Sequence, residues 1–175
     1  SNELDNWSSK LGLEVIKEEL ILLKNKKSSK HDIIKNIVSY IRLEWLIALL
    51  IKNRCSEIEI KPNLKSDDEG IPYHQAPPKK FDIEIENKED YIFIEATLIN
   101  NAEQVPREIN KIPRKINDYI FINSSKDKKT LFIAPSIHED SKNMTEWLFE
   151  QKDIKIINYN IEEFIQKIET TRVLN

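Results

Sequence analysis

The sequence predicts an α/β domain with a mixed β-sheet core flanked by helices on both faces. Three observations predict it. Phe81–Glu86 and Tyr91–Leu98 alternate apolar and polar residues with the two-residue period of a strand, around the polar turn Asn87-Lys88-Glu89-Asp90. Two long apolar helical stretches come before this pair. Short apolar runs alternate with further helical stretches after it, which places helices on both faces of the sheet.

Taken in order, Leu4 to about Lys24 is helical, with Leu11, Val15, Ile16, Leu20 and Leu23 on one stripe. Lys24–Lys30 is a polar break, so residues 1–30 read as an N-terminal helix and linker and 31–175 as the main domain. A long apolar helix spans about Asp32 to Lys52, and Glu57–Ile60 is a short strand. Lys61–Lys80, with its Pro, Asp and Gly, is a long loop, a kind of segment that often carries function. The hairpin follows, then a helix from Ala102 to about Ile122. Strands at Thr130–Ala134 and Ile154–Asn158 and helices at Asp140–Gln151 and Ile161–Ile168 complete the chain.

Composition narrows the function classes. A chain of 175 residues, 39% hydrophobic and 33% charged, can bury a core and is not a disordered tract. Its longest apolar run, Trp45–Ile51, is too short to span a bilayer. A single cysteine, Cys55, excludes an internal disulfide framework and fits a cytoplasmic protein. His31, His74 and His138 lack zinc-ligand spacing. The net charge of −3 is unlike that of a stand-alone nucleic-acid binder, but Arg107–Lys129 holds seven basic against three acidic residues, and Lys61, Lys65, Lys79 and Lys80 crowd the approach to Asp82. These lysines make either a solvated surface or the basic rim of a module delivered to its substrate by something else. The chain opens on Ser1-Asn2 and its only methionine is Met144, which reads as a piece of a longer protein whose recognition domain lies elsewhere.

The hairpin carries the chemistry. Closed symmetrically on Lys88-Glu89, it sets Asp82 opposite Glu95. Opposed cross-strand residues have Cβ atoms about 4.5–5.5 Å apart, where like charges repel. A divalent cation between the two carboxylates removes the conflict, and a metal on two strand carboxylates points to phosphoester hydrolysis. The plain alternative is a solvated strand face, since Glu84 and Glu86 share the face of Asp82. Glu44, deep in an apolar helix, points into the site or pairs with Arg42 or Lys52 at a polar edge. Gln104, Glu108, Lys111 and Lys115 border the apolar stripe Val105, Ile109, Ile112 and Ile116. They present polar groups to a reaction or form a solvated edge with surface pairs. Pro113 kinks or restarts that helix. Thr97 shares a face with Glu95 and carries no charge, so any cation must come from elsewhere; Lys115 is the candidate.

Asp82, then Glu95-Ala96-Thr97, resembles the PD-(D/E)xK nuclease motif with its lysine replaced. The longer string is more specific. Leu43-Glu44-Trp45, Pro62 through Pro72, Asp82, Glu95-Ala96-Thr97-Leu98, Gln104, Glu108 and Arg114 together resemble the cleavage domain of the AlwI-type type IIS restriction endonucleases. The resemblance covers about Glu44–Lys115 and implies a restriction-endonuclease-like fold. It implies Mg2+, with Mn2+ as substitute, held by Asp82 and Glu95 and completed by Glu44. It also implies that Glu108 assists catalysis; Gln104 holds the nucleophile or supports a group behind the site. The family's His is Lys115 here, so a cation is kept where a general base is expected. Double-stranded DNA is the implied substrate. Recognition is left to a domain or subunit absent from this chain, and double-strand cleavage to a second nuclease copy or a transient homodimer. The competing reading is a catalytically inactive binding or dimerisation module.

Overall fold

A computed structural model describes residues 2–119, 125–171 and 174. Three helices open the chain: α1 (Asn2–Leu11), α2 (Leu13–Lys24) and α3 (Ser39–Arg54). The single helix expected over Leu4–Lys24 is broken at Gly12, whose φ of 80° and ψ of 160° suit only glycine. The long helix begins later than the apolar pattern, after a short 3₁₀ turn at Ile34–Asn36. Every residue of α3 from Ile41 to Ile51 is buried, as in a helix enclosed on all sides. Arg42 turns both guanidinium donors to the Ile37 carbonyl, at 3.2 and 2.8 Å. Lys52 donates to the carbonyls of Ser56 and Ile58. Neither supplies Glu44 with a partner.

The main sheet has the order β1 (Ile60–Pro62), β4 (Ile83–Glu86), β5 (Asp90–Ala96), β6 (Asp127–Ala134), β7 (Ile156–Asn160). The first three strands are antiparallel and the last three parallel, so the sheet is mixed. Ile83, Ile85, Ile92, Ile94, Leu131 and Ile133 face α1, α2, α3 and α7 (Ile161–Thr170). Phe93, Tyr91, Phe132 and Ala134 face α5 (Ile112–Tyr119) and α6 (Glu139–Lys152). Residues 1–30, set apart in the sequence reading, place Leu4, Trp7, Leu11, Ile16, Leu20 and Leu23 in the same core as α3.

Two further expectations are corrected. Lys61–Lys80 is not a structureless loop: β2 (Lys65–Ser66) pairs with β3 (Pro72–His74). Asp67 closes the ribbon by accepting from the amides of Glu69 and Ile71, both at 2.9 Å, the side-chain turn its sequence suggests. The helix from Ala102 is three pieces, α4 (Gln104–Arg107), a 3₁₀ turn (Ile109–Lys111) and α5. The chain breaks at Glu108, with φ −126° and ψ −63°, and Pro113 falls in the first turn of α5, where its missing N–H costs nothing. The stretch Ile120–Ile122 lies outside the described residues.

Candidate active site

Ile83 pairs with Ile94 and Glu86 with Tyr91, and Asp82, just before β4, lies beyond this paired register, at the end of β5 that carries Glu95. The Asp82 amide donates to the Ile94 carbonyl at 3.1 Å, and its Oδ2 accepts from the Ala96 amide at 2.7 Å. Asn63, next to the end of β1, fastens this point from outside. It donates its amide to the Asp82 carbonyl and its side-chain Nδ2 to the Phe81 carbonyl.

Glu44 reaches the pair from α3. It is 5% exposed, accepts from the Ala76 amide at 3.3 Å and is hydrogen-bonded to Asp82. Burial pushes its carboxyl up to about 7, opposed by the Asp82 hydrogen bond and the Ala76 N–H. Burial, then the charge of Glu44, raises Asp82 well above the usual carboxylate range. Glu95, 2% exposed, is raised by burial and then by Asp82. Lys115 of α5, itself buried, sets its Nζ 2.8 Å from Glu95 Oε1 and 5.7 Å from the centroid of the Phe81 ring. Phe81 in turn stacks on Phe93 at 4.2 Å.

Thr97 is buried two residues beyond Glu95; its hydroxyl lies 3.5 Å from Glu108 Oε1 and accepts from the Ile99 amide. Burial raises Glu108, while Lys111, Lys115 and Arg107 lower it. Lys111, the alternative cation, is exposed. Gln104 is placed otherwise than expected. It is fully buried, and its Nε2 donates to the carbonyls of Ile99 and Ser136 while its Oε1 accepts from the His138 amide and the Ser141 hydroxyl. All its hydrogen-bonding capacity is used. It ties α4 to the loop after β6, with nothing left for a nucleophile.

Three buried carboxylates with one ammonium beside them are short of positive charge. That deficit, together with burial, raises their pKa values. The oxygen donors fit a hard divalent cation. Among the described residues no group of three acidic, histidine or cysteine side chains is arranged so that it could hold a metal ion. Mg2+ needs no such group, since it binds through one or two carboxylates and keeps several waters. A groove of about 980 Å³ lies elsewhere, lined by Lys128, Lys129 and Lys155 at the starts of β6 and β7. It contains none of these acids.

Sequence reasoning missed Asn63 and the Ala76 amide. Asn63 lies within the quoted motif string, but a backbone amide leaves no residue-type signal.

A mixed sheet with acids at its hairpin and a buried glutamate on the helix behind them fits the fold of a restriction endonuclease. The chain belongs to the AlwI restriction endonuclease family, whose model matches residues 3–167. Its fold is similar to that of the small subunit of the heterodimeric restriction endonuclease R.BspD6I. The two share 23% identity at a TM-score of 0.70, over 87% of this chain and 76% of that one. No curated protein matches the chain. None of the described helices is long and apolar enough to cross a membrane.

Proposed function

We propose that this chain is a Mg2+-dependent endonuclease, of the PD-(D/E)xK type, that hydrolyses phosphodiester bonds of double-stranded DNA as the cleavage part of a type IIS-like restriction enzyme. The observation that carries the reading is the meeting of Glu44, Asp82 and Glu95, raised by burial and one another, with Lys115 against Glu95. Asp82 and Glu95 would hold the metal, with Glu44 completing the set. Bound there, Mg2+ would lower the pKa of a water and offset charge on the scissile phosphate. Lys115 stabilises charge that develops on the phosphate and opposes the rise that burial and Asp82 impose on Glu95. In this reading Glu108, which accepts from the Thr97 hydroxyl and is raised in pKa, takes a proton from the attacking water. Thr97 positions Glu108 and supplies no charge.

One such site cuts one strand. The R.BspD6I small subunit comes from a heterodimeric enzyme. That likeness supports a reading in which a second subunit or copy makes the other cut and a separate domain selects the site.

The test is supercoiled plasmid with Mg2+ or Mn2+. The chain nicks it, and Asp82→Ala slows nicking by at least about 100-fold. Undiminished nicking by Asp82→Ala would remove this mechanism. A second reading, an inactive nuclease-fold module, draws on the ion pair by which Lys115 occupies a Glu95 oxygen. Calorimetric titration of Mn2+ into the chain with duplex DNA separates the two. Binding that Glu95→Gln abolishes supports the enzyme, and no binding supports the module.

A further inference from the structure

The β2–β3 ribbon is tied to the acids at both of its ends. On the side entering it, Asn63 holds the Asp82 backbone; on the side leaving it, the Ala76 amide donates to Glu44. Its tip is fastened as well. Trp7 Nε1 donates to the Glu69 carbonyl at 2.7 Å, and Gly70, at φ 81°, packs so closely on α1 that an added Cβ would lie 2.6 Å from Glu3 Cβ. A ribbon held at three points is a rigid projection beside the site.

Its exposed groups are unevenly distributed. The acids Asp67, Asp68 and Glu69 occupy the tip and are exposed, and the Glu69 carbonyl accepts from Trp7 of α1. Lys65, opposite His74 in the ladder, and Tyr73 and Gln75 stand exposed at the base, nearest Asp82 and Glu44. Tyr73 is 62% exposed, and Tyr40, one helical turn before Glu44 on α3, is 48% exposed. Both tyrosines thus present their rings to solvent, on the two elements, α3 and β3, that pack against each other. A lysine with aromatic faces is the chemistry that grips a nucleic-acid backbone: ammonium to phosphate, ring to sugar or base.

We infer that the base of the β2–β3 ribbon, with Tyr40, is the surface that holds DNA next to the scissile phosphate. Lys65 contacts a phosphate and Tyr73 stacks on the adjacent nucleotide. This rests on the nuclease reading. These are positioning residues, distinct from the acids that carry the reaction.

The experiment compares the wild-type chain with the Lys65→Ala/Tyr73→Ala double variant in Mg2+-dependent plasmid nicking over a range of DNA and salt concentrations. The double variant should raise KM about tenfold with kcat within about twofold. Its plot of log affinity against log salt should be shallower by about one unit. Lys65→Glu should raise KM further, with an unchanged melting temperature showing the fold intact. KM and salt slope equal to wild type would overturn the inference while leaving the nuclease reading standing. A wild-type chain that neither nicks nor retains a fluorescent duplex would overturn both.

Discussion

Lys115 stands where the sequence resemblance expects a histidine, and its Nζ reaches Glu95 rather than solvent. The cation beside Glu95 thus comes from α5 and not from the strand itself. Lys115→Ala should lower kcat for nicking by about 100-fold or more and shift the pH optimum upward, because Glu95 loses the cation that opposes its burial. Lys115→Arg should restore part of the rate. A pH–rate profile of both variants checks this. Glu44 bears on stability. A carboxyl whose folded pKa is raised contributes stability that is fully present below its unfolded value, near 4.5, and is lost as pH rises through the folded value, about 7 for Glu44. The metal-free wild type should therefore lose melting temperature from about pH 4.5 to 7 more steeply than Glu44→Gln. Mg2+ should recover more of it at pH 8 than at pH 5. Scanning calorimetry across pH, with and without metal, gives the comparison. The hairpin was legible because alternation around a polar turn fixes its register from Ile83–Ile94 to Glu86–Tyr91. Gln104 was not, because helical spacing put it at a stripe border and nothing local shows Ser136–Ser141 returning over it.

The elements that departed from the sequence reading did so for backbone reasons. Gly12 and Glu108 interrupt continuous hydrophobic patterns because φ and ψ at those residues leave the helix. The β2–β3 strands are too short to show a period, and side-chain caps and docking on α1 hold them. Gln104 functions here as a clamp between elements. Gln104→Ala should destabilise the fold by about 3 kcal/mol, since several buried backbone and hydroxyl partners lose their mate. KM for DNA should stay as in wild type. Urea unfolding and nicking kinetics measure the two. A catalytic Gln104 would show the reverse, an intact melting curve with a collapsed kcat.

The whole molecule is organised around one sheet whose two faces converge on the acids: Glu44 comes from the α3 side and Lys115 from the α5 side. The two opening helices share the α3 core, and the family match runs across them. The mixed character of the sheet was legible in the order hairpin, then alternating helices and strands. The packing of α1 on the ribbon tip, a contact between residues 62 positions apart, was not. With one site per chain, supercoiled plasmid should accumulate as nicked circles. Linear product should appear only as chain concentration rises or a second subunit is added, which agarose time courses at several concentrations resolve. The most direct measurement is a crystal of the chain soaked in manganese, with anomalous scattering recorded. A peak coordinated by both Asp82 and Glu95, with Lys115 drawn off Glu95, is what the account predicts. Asp82 and Glu95 turned to separate surroundings with no ion between them, under conditions that support DNA nicking, would contradict it.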